Sequence, residues 1–140
     1  MTDAGMEWLV EAEGCCPETL RSLRKIQMLL QRIVGDLRLN VIGAGQWHQF
    51  PAPGAGITGL LLLSESHLAC HTFPETQLAT INLYCCRDHG VWPWEARLKE
   101  LLQAERVIVR TARRGAQISP SVLLPVQPRG KRKKDARKAG

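Results

Sequence analysis

Apolar residues recur along this chain at two different spacings, and the change from one to the other marks its elements. Glu7 to Ala12 reads as a short strand. Cys15-Cys16-Pro17-Glu18 then punctuates, with Pro17 suited to a first helical turn and Glu18 to the positive helix end. Leu20, Leu23, Ile26, Leu30 and Ile33 follow at steps of three and four, which predicts one amphipathic helix ending at Gly35. Leu37, Leu39 and Val41 alternate, so residues 37–42 read as a second strand. Residues 43–56 hold several Gly and Pro with little periodicity and read as a loop. Strands are expected over 57–63, 67–72 and 78–84, the first apolar enough to be buried. Pro93 opens a second helix with Trp94, Leu98, Leu101 and Leu102 on one face, and residues 105–111 alternate as a last strand.

These elements predict an α/β (α+β) chain. It is a two-layer sandwich in β-α-β-β-β-α-β order, a mainly antiparallel sheet with two helices over one face. Residues 1–117 form one domain, and 118–140 are Pro-rich and then basic, a tail expected to be disordered. In a domain this small, a second copy of the chain is the expected cover for the other sheet face, so a homodimer is expected.

The net charge of +6 changes this picture only once it is located. Residues 129–140 carry seven Lys/Arg and one Asp, and the rest of the chain balances 12 basic against 12 acidic residues. The basic character belongs to the tail, whose expected role is solvation or a weak polyanion contact. A neutral body with one Tyr and two Phe is a poor stacking platform for nucleic acid. The longest apolar run, residues 59–63, is too short to span a bilayer, and the N-terminus has no signal-peptide pattern. Five cysteines in two adjacent pairs and a singleton suggest reduced thiols in the cytoplasm.

The chemistry-bearing residues concentrate between positions 65 and 89: Glu65, Ser66, His67, Cys70, His71, Glu75, Cys85, Cys86 and His89. The bland reading makes Cys70 and one of Cys85/Cys86 small buried hydrophobes. A zinc site is disfavoured, because adjacent Cys85 and Cys86 on a strand point to opposite faces and the spacing fits no standard pattern. No metal is expected. A nucleophile reading is better. Ser66 has one histidine beside it and another five residues on, and its hydroxyl can attack the Glu65 carbonyl. The ester so formed, lost by β-elimination and then hydrolysis, leaves a pyruvoyl group at residue 66. Residues 66 and 71 have opposite parity, so the 65–66 junction must lie in a turn or bulge for His71 to reach it.

Residues 65–75, ESHLACHTFPE, resemble the self-processing segment of prokaryotic S-adenosylmethionine decarboxylases, E-S-H-x-x-x-H-T-[WF]-P-E. Gly56-Ile57-Thr58-Gly59 and Cys86, 15 residues after His71, also sit as in that family, and the resemblance covers roughly residues 6–115. It implies cleavage between Glu65 and Ser66, a pyruvoyl cofactor made from Ser66, and no PLP. It further implies His71 as the processing base, Thr58 as a hydrogen-bonding partner of the processing intermediates, and Cys86 as proton donor to the substrate carbon. Glu75, Phe73, Phe50 and Leu68 are the implied substrate-binding residues. The implied reaction releases carbon dioxide from S-adenosylmethionine, held as an imine on the pyruvoyl carbonyl, for polyamine (spermidine) synthesis. A burial-raised thiol pKa would keep the Cys86 proton in place. The chain departs from the pattern at Asn82, where an acid is usual, at Arg87, where glycine is common, at Cys85, which doubles the cysteine, and in two extra residues before Gly56. Arginine or ornithine decarboxylation on the same scaffold and an unprocessed regulatory subunit are the alternatives.

Overall fold

A computed structural model describes residues 4–115. The expectations for residues 118–140, including the polyanion contact of the basic tail, lie outside the described residues. The elements are β1 (Gly5–Glu13), α1 (Pro17–Arg21), α2 (Leu23–Asp36), β2 (Gln46–Gln49), β3 (Ile57–Leu63), β4 (Ser66–Phe73), β5 (Leu78–Cys85), α3 (Trp94–Leu102) and β6 (Arg106–Arg114), with a 3₁₀ turn at Pro74–Thr76. One six-stranded sheet, ordered β2-β3-β4-β5-β1-β6, is antiparallel at every pairing. The helices cover one face of it, as expected. Between α2 and α3 run four strands, as many as the expected spans 37–42, 57–63, 67–72 and 78–84, although the β-α-β-β-β-α-β order counts three.

Alternation along the strands builds the core. Val10, Ala12, Ile57, Leu61, Leu63, Leu68, Ala79, Ile81 and Leu83 face the helices and are buried. Leu20, Ile26, Leu30 and Ile33 meet them from α1 and α2, and Trp94, Leu98 and Leu102 from α3. Burying such side chains contributes about 1.5–3 kcal/mol each. Thr72 ties the layers together, donating its hydroxyl to the Leu20 carbonyl at 2.8 Å and accepting the Ile57 N–H at 2.9 Å.

Three local expectations are corrected. The single helix is two, because Ser22 is extended (φ −85°, ψ 101°) and its side chain accepts the Lys25 N–H as an N-cap. Gly35 lies inside α2, which ends one residue later, and Arg38 (φ 53°) takes the left-handed turn. Residues 37–42 are therefore not a strand; only Val41 bridges to Leu63. Leu37 and Leu39 alternate because both seal the end of α2, where the Leu39 N–H bonds the Val34 carbonyl at 2.9 Å. The edge strand is instead Gln46–Gln49, within the expected loop. Trp47 holds it there, lying flat on Gly59, where any side chain would collide with the indole.

Strand β3 is buried on one face only: Leu60 and Leu62 are exposed. With Leu9 of β1 they belong to the open sheet face, which no element among the described residues covers.

Candidate active site

The residues singled out in the sequence fall into two groups at opposite ends of that sheet. At one end the chain turns through Ser64 and Glu65 into β4. Ser66 has φ 147°, a region favoured by glycine and strained for serine. Its neighbours fix it there. Ser66 is in register with Leu63 on one side and Cys85 on the other. The Cys86 N–H donates to the Glu65 carbonyl oxygen at 2.9 Å. The peptide expected to break is thus twisted at its serine and polarised at its carbonyl.

The Glu65 side chain anchors the same turn. It is 6% exposed and accepts the Asn40 N–H at 3.2 Å and the Arg87 guanidinium at 2.8 Å. Burial opposes its charge, yet hydrogen bonds from the Asn40 backbone, its own backbone and Ser64, with the Arg87 charge, hold its carboxyl below the usual range. Cys86 and Arg87 line a cleft of about 390 Å³ with Met6, Trp8 and Val91. Gly5 (φ 103°) permits this close assembly, because a side chain there would strike the Cys85 carbonyl.

The two cysteines divide cleanly. Cys85 is fully buried toward the helices, and desolvation pushes its thiol pKa up. Cys86 is exposed beside the Glu65 carbonyl. The burial expected of Cys86 is therefore absent within one chain. Cys70 and Cys15 are core residues, their thiols pushed up by burial to about 12 and about 11. All five cysteines are free.

At the other end, Thr58 and His71 are cross-strand partners, with Thr58 Oγ1 3.1 Å from His71 Nδ1. They line a cleft of about 430 Å³ with Phe50, Gly56, Phe73 and Glu75. Phe50 and Phe73 are exposed, and the Phe50 ring stands edge-on to His48 at 4.7 Å.

The junction does lie in a turn, but His71 is five residues down β4. At about 3.3 Å per residue that is about 16 Å from Ser66. One chain does not bring the two together. Leu68, expected at the substrate, is fully buried against the helical layer and is a packing residue. Among the described residues, no group of three or more His, Cys, Asp or Glu is placed to hold a metal ion.

Other residues of the site were assigned no step by the sequence reading, although it noted His67 beside Ser66 and Asn82 in place of an acid. His67 Nδ1 lies 3.4 Å from Ser66 Oγ, and His67 Nε2 lies 2.9 Å from Asn82 Oδ1. Asn82 donates to Glu7 at 2.8 Å, and Glu7 pairs with Arg114 at 2.6 Å. Hydrogen bonds from Asn82 and Arg114 hold the Glu7 carboxyl below its usual range. These residues come from four strands. Only the register unites them, and no local sequence signal reports it.

The S-adenosylmethionine decarboxylase family model matches residues 6–115. The S-adenosylmethionine decarboxylase proenzyme of Thermosipho africanus is 32% identical over 117 residues, covering 82% of this chain and 87% of that protein. The proenzyme of Parasynechococcus marenigrum is 33% identical over 130 residues, covering 88% and 96%. The crystal structure of the Aquifex aeolicus adenosylmethionine decarboxylase is similar with a TM-score of 0.68 and 28% identity, covering 84% of this chain and 96% of that one. Sequence and fold agree over almost every described residue: the chain belongs to the S-adenosylmethionine decarboxylase family and is an enzyme of that family.

Proposed function

We propose that this chain cuts itself between Glu65 and Ser66 and decarboxylates S-adenosylmethionine with a pyruvoyl group made from Ser66. The observation that carries this reading is the Glu65 carbonyl, which accepts the Cys86 N–H at 2.9 Å next to a serine strained at φ 147°. An N–H aimed at that oxygen stabilises the charge that develops as the hydroxyl adds to the carbonyl carbon. Ester formation relieves the Ser66 strain. The pyruvoyl group fits this position, since Ser66 carries the β-hydroxyl that ester formation and elimination need, next to a polarised carbonyl. Once formed, it supplies the electron sink for the departing carboxylate. Cys86, whose backbone N–H meets the Glu65 carbonyl, would return a proton to the substrate carbon.

His71 and Thr58 belong to the reading through a second copy. Both stand on the open face, a sheet length from their own Ser66. Two open faces packed with a two-fold axis between them would set the His71 end of each chain against the Ser66 end of the other. The same contact would cover Leu9, Leu60 and Leu62, which are 41%, 42% and 55% exposed in the single chain. A homodimer would then hold two sites, each built from both chains. The Phe50–Phe73–Glu75 cleft offers aromatic surface and a carboxylate, the chemistry that suits an adenine ring and a ribose diol better than an arginine or ornithine side chain.

The product would feed polyamine synthesis, and free thiols with a neutral body suit the cytoplasm. Among the described residues, no helix is long and apolar enough to cross a membrane. The test is product analysis with carboxyl-labelled substrates. Labelled carbon dioxide from S-adenosylmethionine, and none from arginine or ornithine, is the expected result. Release from either basic amino acid instead would transfer the reading to that substrate.

A further inference from the structure

We propose that His67, preset by Asn82 and Glu7, is the base that takes the Ser66 hydroxyl proton in the first step of self-cleavage. The proposal rests on the self-cleavage reading above and assigns a residue that reading leaves without a role.

The hydrogen-bond chain fixes the tautomer of the imidazole. Glu7, ionised and paired with Arg114, can only accept. Asn82 therefore turns its amide nitrogen to Glu7 (2.8 Å) and its carbonyl oxygen to His67 Nε2 (2.9 Å). That nitrogen must carry the proton of the neutral ring. Nδ1 is left with its lone pair directed at Ser66 Oγ, 3.4 Å away. This is a long contact in the resting chain, of the kind that tightens as a reaction begins. The edge of Tyr84 packs on the ring at a centroid distance of 5.9 Å, and the Arg114 guanidinium lies over Tyr84. Together these contacts hold the imidazole in place. His71, by contrast, bonds Thr58 at the far end of the sheet.

The step balances. The Ser66 hydroxyl proton passes to His67 Nδ1 as the Oγ–C bond to Glu65 forms. The Glu65 C–N bond then breaks, and the same proton passes to the departing Ser66 nitrogen. An amide and a hydroxyl become an ester and an amine, with no other reactant. His67 acts before the ester exists, whereas the His71 role implied by the family acts after it. The two roles leave different chains behind when lost.

The experiment follows freshly translated full-length chain by mass, with and without hydroxylamine, which cuts esters and spares amides. His71→Ala is expected to accumulate an ester that hydroxylamine cuts between residues 65 and 66. His67→Ala is expected to be cut at least about 10²-fold more slowly than wild type and to hold no hydroxylamine-sensitive ester. Imidazole added to His67→Gly is expected to restore cutting in step with its neutral form. If circular dichroism shows that His67→Ala does not fold, Asn82→Leu decides the matter. It keeps the histidine but frees its tautomer, and is expected to slow cutting about tenfold without ester build-up. Wild-type cutting in the deciding variant, or an accumulated ester, overturns the proposal. If wild type itself remains one chain, the self-cleavage reading fails instead, and the two failures are distinct.

Discussion

The two ends of the open sheet face differ in how they are held. The Ser66 end is tied down. Its turn is clamped by Glu65, Asn40 and Arg87, its carbonyl is bonded to Cys86, and its histidine is fixed through Asn82 and Glu7. The Phe50–His71–Glu75 end is a cleft of similar size, in which Thr58 and His71 are joined by a hydrogen bond across two strands. A strained, polarised peptide must be ordered before it reacts, while a cleft for a flexible substrate needs surface and reach. On this division ester formation depends on the first end, while loss of the ester through His71 and substrate affinity draw on the second.

Ser66→Ala should break this comparison most completely: the chain should stay whole and inactive, as read by mass and by carbon dioxide release. Cys86→Ala should come next, cut normally but at least about 10²-fold slower in turnover, whereas Cys85→Ala should keep turnover and lose only about 1 kcal/mol of stability as a core truncation. If Cys85→Ala alone impairs turnover, the assignment is one residue off. Glu75→Gln should raise KM about tenfold with kcat and cutting unchanged, the loss of one hydrogen bond to a charged group. An equal fall in kcat would move Glu75 to the reacting centre.

The smallest effect is electrostatic. Glu65 has a depressed folded pKa, so its contribution to stability is full above the ordinary carboxylate range and is lost as pH falls through the lower folded value. In the uncut Ser66→Ala background, Glu65→Gln should flatten the acid limb of Tm against pH. Arg87→Ala, removing a half-exposed partner, should cost only about 1 kcal/mol at neutral pH.

Much of the fold was legible because most elements bury a regular stripe: β3 and α3 fall where the spacing of Ile57–Leu63 and Trp94–Leu102 puts them. The failures have physical causes. Leu37 and Leu39 alternate like strand residues but cap a helix, and Gln46–Gln49 is an edge strand whose pattern reduces to one tryptophan on one glycine. Leu20 and Leu23 keep helical spacing across the Ser22 break, which hides it. At the site, the Ser66, Cys86, Thr58 and Glu75 positions could be named from motif spacing. That Ser66 and His71 stand a strand apart could not, because parity along one strand gives a side-chain face and not a partner. The His67–Asn82–Glu7 chain crosses three strands and needs the register.

The most direct test of self-cleavage is the intact mass of the purified protein under denaturing, reducing conditions. Two chains are expected, residues 1–65 and residues 66–140, the second lighter by one ammonia than a chain beginning with serine. A single mass for residues 1–140 would contradict the account and leave an unprocessed, regulatory role in its place.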